Sequence, residues 1–269
     1  MVRELLKNAA EKLKCSDTPL LDARVLLAKA MGKDDAALIF DMPGADALKK
    51  FEDYISKRAD GMPVAYILGE KEFMGFKFRL NSDTLIPRPD TECLVEKIIE
   101  ENSGRNLKIL DLCTGSGCIG ISLVKMLENA TCDLTDISEG ALSKADENAA
   151  LNEVDGRTRV FRLDVLTEDF PTGYDIIVSN PPYIESGIIP SLQVSAYEPE
   201  RALDGGEDGL TFYTVIAQKA YDALSPGGML ALEIGYDQKQ SVSALLSKFS
   251  QVKTFKDYGG NDRVIIAIK

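Results

Sequence analysis

Two strand-like runs near the end of the sequence, Val252 to Asp257 and Arg263 to Ile268, are separated only by Tyr258-Gly259-Gly260-Asn261-Asp262. A parallel crossover needs a dozen or more residues, so this connection forces an antiparallel hairpin. The stretch before it follows the opposite rule. From Leu107 the chain alternates short apolar runs with helical stretches, the runs being Lys108 to Leu112, Thr131 to Thr135, Val160 to Leu163, Tyr174 to Ser179 and Met229 to Ile234. Such alternation specifies a parallel sheet with helices packed on it. Together the two rules predict an α/β fold, a seven-stranded, doubly wound, Rossmann-like sheet closed by an antiparallel terminal hairpin.

Ahead of the sheet, residues 1–70 read as a small helical domain. Val2, Leu5, Leu6, Ala9, Ala10 and Leu13 recur at helical spacing, and Asp17 or Thr18 with Pro19 starts a second helix over Leu20 to Met31, ending at Gly32. Lys33 to Phe40 and Ala45 to Ala59 supply two further helical candidates. From Gly61 the pattern breaks: Phe76, Phe78 and Leu80 alternate with Lys77 and Arg79, and glycines and prolines punctuate the stretch. Residues 71–90 are therefore expected to form a β-hairpin linker, and 91–269 the sheet domain. Asp90 and Glu92 sit where carboxylates favour the start of the helix that follows.

The first sheet strand runs into Asp111-Leu112-Cys113-Thr114-Gly115-Ser116-Gly117. Glycines here let backbone N–H groups approach an anion at a helix N-terminus, while Asp111 suits a cationic amine. A ligand with an amino-acid tail carries both charges. Gly115-x-Gly117-x-x-Gly120 also fits the dinucleotide fingerprint, and Asp136, about 20 residues on, is placed for ribose hydroxyls. Those residues imply an adenosine cofactor without separating NAD from S-adenosyl-L-methionine. The terminal hairpin, characteristic of the class I methyltransferase sheet, favours S-adenosyl-L-methionine, as does Asp111. Asp164 is placed to accept from the adenine amine and Val165 to pack on the ring; a turn-capping role for Asp164 stays open.

Asn180-Pro181-Pro182-Tyr183 follows the strand Tyr174 to Ser179 directly. Two prolines in succession can continue neither a ladder nor a helix interior, so the chain is held in a rigid turn at the strand's carboxyl end, where ligands of open α/β sheets bind. The chemistry this suits is methyl transfer to a planar nitrogen. The Asn180 side-chain oxygen and the Pro181 carbonyl are the candidate acceptors that orient the N–H₂ group, and Tyr183 is the candidate aromatic wall. Asn180, Pro181 and Tyr183 are thus the expected catalytic residues, with Pro182 joining them in holding substrate.

Composition removes other chemistries. The 269 residues include no histidine, the commonest general base and metal ligand, and five scattered cysteines without a C-x-x-C pair, which read as reduced thiols of a cytoplasmic chain. No metal is expected. A net charge of −12 weighs against a nucleic-acid partner, and no segment has the uninterrupted apolar run of a membrane span. A DNA or RNA amino-methyltransferase and a noncatalytic or NAD(P)-binding module are the alternative readings of the same motifs.

IPRPDTE at 86–92, DLCTGSG at 111–117, Asp136-Ile137-Ser138, SNPPYI at 179–184, YEPERALDGGEDGL at 197–210, LEIG at 232–235 and DYGGNDRV at 257–264 occur in that order. In them the chain resembles the HemK/PrmC family, methyltransferases that modify the glutamine of the GGQ loop in class I peptide chain release factors. The resemblance implies that Cys113 to Gly117, Asp136, the position of Val165, and Asn180 contact S-adenosyl-L-methionine, and that Asn180 to Tyr183 grip the glutamine. It implies likewise the helical N-terminal domain, here expected to recognise the release factor. The chain departs from the family pattern at Cys113, where glycine is usual, and at Met74, Thr135 and Val165.

Overall fold

The computed structural model describes residues 2–34, 38 and 41–269, with the backbone alone at 193 and 194. It divides into two compact units, Met1–Glu70 and Lys71–Lys269. In the first, α1 (Val2–Ala10), α2 (Pro19–Met31), α3 (Ala45–Ala59) and the short α4 (Val64–Leu68) enclose a core that includes Leu6, Leu13, Leu26, Leu27, Phe51 and Ile55. Pro19 opens α2, where its missing N–H is no loss, and Gly32 closes it in the left-handed conformation at φ +63°. Arg58 Nε donates to Asp22 Oδ2 at 2.8 Å across this core. The helix expected over Lys33 to Phe40 falls largely on residues 35–37, 39 and 40, outside the described residues. The helix α4 lies in a stretch read as non-helical, because five residues between Pro63 and a left-handed Gly69 are too few to display a period.

Two short strands, β1 (Glu70–Phe73) and β2 (Phe76–Arg79), form a hairpin through Met74 and Gly75, both at positive φ (53° and 77°), as a two-residue primed turn requires. Met74, one of the departures from the family pattern, therefore sits in a left-handed turn. Phe73 and Phe78 meet edge to face at 6.1 Å and are fully buried in the main core of the second unit.

The seven-stranded sheet has the order β5-β4-β3-β6-β7-β9-β8, formed by β3 (Leu107–Leu112), β4 (Ala130–Asp136), β5 (Thr158–Arg162), β6 (Tyr174–Ser179), β7 (Leu224–Glu233), β8 (Gln251–Lys256) and β9 (Asp262–Ile268). The first five pair in parallel; β9 lies between β7 and β8 and is antiparallel to both, its pairing with β8 being what the five-residue connection demands. Side chains alternate between two buried faces. Ile109, Val178, Ala231 and Val264 pack with α5 (Pro89–Asn102), α6 (Cys118–Met126) and α7 (Glu139–Leu151). Leu110, Ile177, Leu230 and Ile265 pack with α8 (Thr211–Ala223) and α9 (Lys239–Leu245). Burying each Val, Leu or Ile side chain contributes about 1.5–3 kcal/mol, which explains why the fully buried positions of the central strands are mostly apolar.

Strand β3 has β4 on one side and β6 on the other. The winding direction therefore reverses between β3 and β6, and the crevice beyond their carboxyl ends is where this topology places a ligand. The two loops singled out from the sequence begin there.

Candidate active site

The loop leaving β3 is held from below. Thr114 N–H donates to Thr135 O at 2.9 Å, its Oγ1 donates to Asp111 Oδ2 at 2.6 Å, and Gly120 N–H donates to the same oxygen at 3.0 Å. Thr135 in turn donates its hydroxyl to Asp111 O at 2.9 Å, so this departure from the family pattern adds a bond between β4 and β3. Gly117 caps α6 at φ +81°, the left-handed conformation that favours glycine. Cys113, at φ +56°, holds a left-handed conformation that explains the glycine usual at this position.

Asp136, ending β4, is fixed by Gly115 N–H on Oδ2 and Ser138 N–H on Oδ1, both at 2.9 Å. Each carboxylate oxygen keeps a lone pair for a ligand hydroxyl. Burial raises its pKa, and the backbone donors of Ser138 and Gly115 oppose that shift. Asp111 is fully buried beneath the loop; burial pushes its carboxyl to about 7 against the pull of Thr114 and Gly120, and its Oδ1 has no hydrogen-bond partner among the described residues. Asp164 caps a turn, accepting from Thr167 Oγ1 at 2.8 Å and Leu166 N–H at 2.9 Å, and the Thr167 bond holds its pKa below the usual carboxylate range.

The second loop leaves β6. Asn180 Nδ2 donates to Thr91 Oγ1 at 3.3 Å, which fixes the plane of the amide and hence the direction of its oxygen. Pro181 and Pro182 are buried. Tyr183 donates its hydroxyl to Glu233 Oε1 at 3.4 Å, and its carbonyl accepts from Gln238 Nε2 at 3.0 Å. After Tyr183 the chain runs parallel to 203–206, with Ile184 N–H on Leu203 O, Gly205 N–H on Ile184 O and Ser186 N–H on Gly206 O at 2.8–2.9 Å. Gly205 and Gly209 lie so near Tyr183 that a Cβ would stand 2.7 Å from its Cα or 2.4 Å from its carbonyl oxygen.

Both loops open on one pocket of about 430 Å³, within the usual range for small-molecule sites. Of the residues expected from the sequence, Cys113, Thr114, Gly115, Ser116 and Asp136 line it from the β3 and β4 side. Asp164 and Val165 line it beyond β5, and Asn180 and Pro182 beyond β6. Asp111, Gly117, Pro181 and Tyr183 are not among the lining residues: Asp111 supports the loop after β3, Gly117 ends it as the cap of α6, and the other two belong to the turn.

Sequence reasoning missed a whole wall. Asp83, Leu85, Pro87, Arg88 and Thr91 line the pocket from the segment leading into α5, and Arg201 and Phe212 face it from the other side. Glu198 joins these two segments, accepting from Ile86 N–H at 3.2 Å and Arg88 Nη2 at 2.5 Å with its own side chain fully buried. The IPRPDTE and YEPERALDGG stretches were visible as motifs, but nothing local in them indicates that they meet.

Two family models match, "PrmC N-terminal domain" over residues 4–69 and "Methyltransferase small domain" over 89–193. A protein of Clostridium botulinum named release factor glutamine methyltransferase is 42% identical over 93% of this chain and 92% of its own length. The chain belongs to the release factor glutamine methyltransferase family. The like-named protein of Agrobacterium fabrum is also 42% identical, over 92% of this chain and 89% of its own length. Among solved structures, a methyltransferase from Pyrococcus furiosus superposes with a TM-score of 0.56 at 21% identity, covering 73% of this chain and 90% of that one, which speaks to the fold. The sheet and its inserted antiparallel strand are thus those of a methyltransferase, and the family is a family of enzymes.

Proposed function

We propose that this protein transfers a methyl group from S-adenosyl-L-methionine to the side-chain amide nitrogen of the glutamine in the GGQ loop of class I peptide chain release factors. The observation that carries the reading is the shared pocket: the Gly115–Ser116 loop and Asp136 open on the same space as Asn180 and Pro182. Membership of the family supplies the acceptor.

The pocket fits the cofactor. Asp111 Oδ1 and Ser116 Oγ are buried polar atoms without a partner among the described residues, and Ile137 and Leu166 leave 45% and 39% of their surfaces uncovered on its wall. A molecule with an amino-acid tail and an aromatic base satisfies both kinds of group. Asp136 would hold the ribose, Val165 with Ile137 and Leu166 the base, and the Gly115–Ser116 backbone the charged tail, with Asp111 the partner for its amine. When bound, S-adenosyl-L-methionine supplies a methyl group on a positively charged sulfur.

The chain's own residues then have a positioning task. The Asn180 oxygen, aimed by the Thr91 bond, and the Pro181 carbonyl accept the two amide hydrogens of the glutamine, which turns its nitrogen toward the methyl donor. Tyr183 forms the aromatic side of that slot. The proton lost from the product passes to water, so the chain needs no histidine, and it has none. The helical unit at residues 1–70 would recognise the body of the release factor in the cytoplasm. Among the described residues, no helix is long and apolar enough to cross a membrane.

Labelled S-adenosyl-L-methionine incubated with purified release factor, DNA and RNA in parallel tests the reading. Mass spectrometry is expected to find a single methyl on the GGQ glutamine, and a methyl elsewhere, or on nucleic acid alone, would defeat it. Asn180→Ala should lower turnover about 10²- to 10³-fold, the scale of one preorganised polar partner, with a smaller effect on cofactor affinity.

A further inference from the structure

Glu233, at the end of β7, has no part in the reaction as derived so far. Its side chain is 1% exposed, yet it stands behind the Asn180–Tyr183 turn. The Tyr183 hydroxyl donates to Oε1 at 3.4 Å. At the other end of the turn, the Thr91 hydroxyl oxygen accepts from Asn180 Nδ2 at 3.3 Å. Glu233 itself is anchored, because Tyr213, fully buried on α8, donates its hydroxyl to the Glu233 backbone carbonyl at 2.9 Å. Oε2 has no hydrogen-bond partner among the described residues. A carboxylate buried in that state is costly unless its neighbours use it.

We propose that Glu233 is the positioning residue of this site: through the Tyr183 hydroxyl, one buried carboxylate holds the end of the turn that presents the amide. This inference rests on the reading of Asn180 and Tyr183 given above. An ionised carboxylate can accept from the Tyr183 hydroxyl on either oxygen, whereas a protonated one spends an oxygen as donor and holds the turn less well. The groups facing it are Asp90 and Thr91 on α5, Cys118 on α6, Tyr183, Tyr213 on α8 and Arg263 on β9. Burial raises Glu233 to about 7, opposed by Thr91, Arg263 and Tyr183 and assisted by Asp90. Ionisation of the positioning group therefore falls within the working pH range.

The experiment measures kcat and cofactor Kd between pH 5.5 and 8.5 for wild type, Glu233→Gln, Tyr183→Phe and the double variant, with release factor as acceptor. Glutamine keeps an acceptor and removes the titration; phenylalanine keeps the ring and removes the donor. Wild-type kcat should fall below a pH near 7, and Glu233→Gln should lose that acid limb. Each single variant should lower kcat about 5- to 50-fold, a span set by loss of a hydrogen bond to a charged group, with Kd nearly unchanged. The double variant should be no slower than the slower single one, because both changes break the same contact. Multiplying effects, an acid limb retained by Glu233→Gln, or a loss confined to Kd and Tm overturns the inference. Absence of transfer by wild type overturns both this inference and the functional reading, while active wild type with an unimpaired Glu233→Gln overturns this one alone.

Discussion

Gly205→Ala separates the placement of the Asn180–Tyr183 turn from its chemistry. Gly205 does not hold a positive φ, so alanine brings no backbone strain of its own. What the new methyl meets is the Tyr183 backbone, Cα at 2.7 Å and carbonyl carbon at 2.8 Å, with Gly209 Cα at 3.0 Å. Ordinary carbon contacts lie at about 3.5–4.0 Å, so one backbone must retreat by roughly 1 Å. Tyr183 is the one that moves the site, and its carbonyl is tied by Gln238, whose amide donates to it and to Gly209 O. Overpacking of this kind costs about 1–3 kcal/mol, and Tm falls about 2–4 °C per kcal/mol in a domain of this size. Misplacing a reacting group by 1 Å costs on the order of 10²-fold in rate. The expected result is a 10- to 100-fold lower kcat on the scale of that misplacement, with cofactor Kd, set by the loops after β3 and β4, within about twofold of wild type. Gly187→Ala is the control, since its Cβ meets nothing within 4 Å. Steady-state kinetics and calorimetry read both. A Gly205→Ala protein that melts lower yet turns over at the wild-type rate would refute the idea that this contact sets the turn.

Asp136→Ala should weaken S-adenosyl-L-methionine by roughly 1.5–3 kcal/mol, the loss of charge-assisted bonds to ribose, and isothermal titration showing unchanged affinity removes Asp136 from the cofactor site. Asp111→Asn tests the buried carboxyl raised to about 7. The folded state holds that proton more tightly than the unfolded chain, so the carboxyl favours folding below pH 4, and this contribution is lost as pH rises to 7. The Tm of Asp111→Asn relative to cofactor-free wild type should therefore climb between pH 4 and 7 and level off above, at up to about 1.4 kcal/mol per pH unit; a gap independent of pH contradicts the assignment. Removing residues 1–69 should slow methylation of intact release factor far more than it weakens cofactor binding, and equal losses in both would argue against a recognition role for the helical unit.

The sheet was legible because its central strands are short apolar runs buried on both faces, set between helical stretches, and because the connection at 258–262 admits a single geometry. The two loops were legible because function at a switch point follows strand ends, which a sequence displays. The remainder of the site depends on residues that meet only after folding. Asn180 reaches Thr91 across 89 positions, Glu198 reaches Ile86 across 112, and Tyr183 reaches Glu233 across 50. Locally, Thr91 and its neighbours look like the start of a helix, and Asp90 and Glu92 like acids suited to its dipole. Glu92 does more than that, since it accepts Met74 N–H at 2.7 Å and so ties the hairpin turn to α5. No periodicity marks such pairings.

Phe73 and Phe78 also decide where this chain can be cut and rejoined. Both rings are built into the sheet's own core, so the hairpin cannot travel with the helices that precede it without opening a cavity beneath the cofactor domain. The natural splice lies ahead of them, at Gly69, which ends α4 in a left-handed cap with open space around its α-carbon. A different helical module grafted at that glycine would inherit a second unit whose pocket wall at 83–91 is left whole, so the helices can be exchanged without touching the pocket.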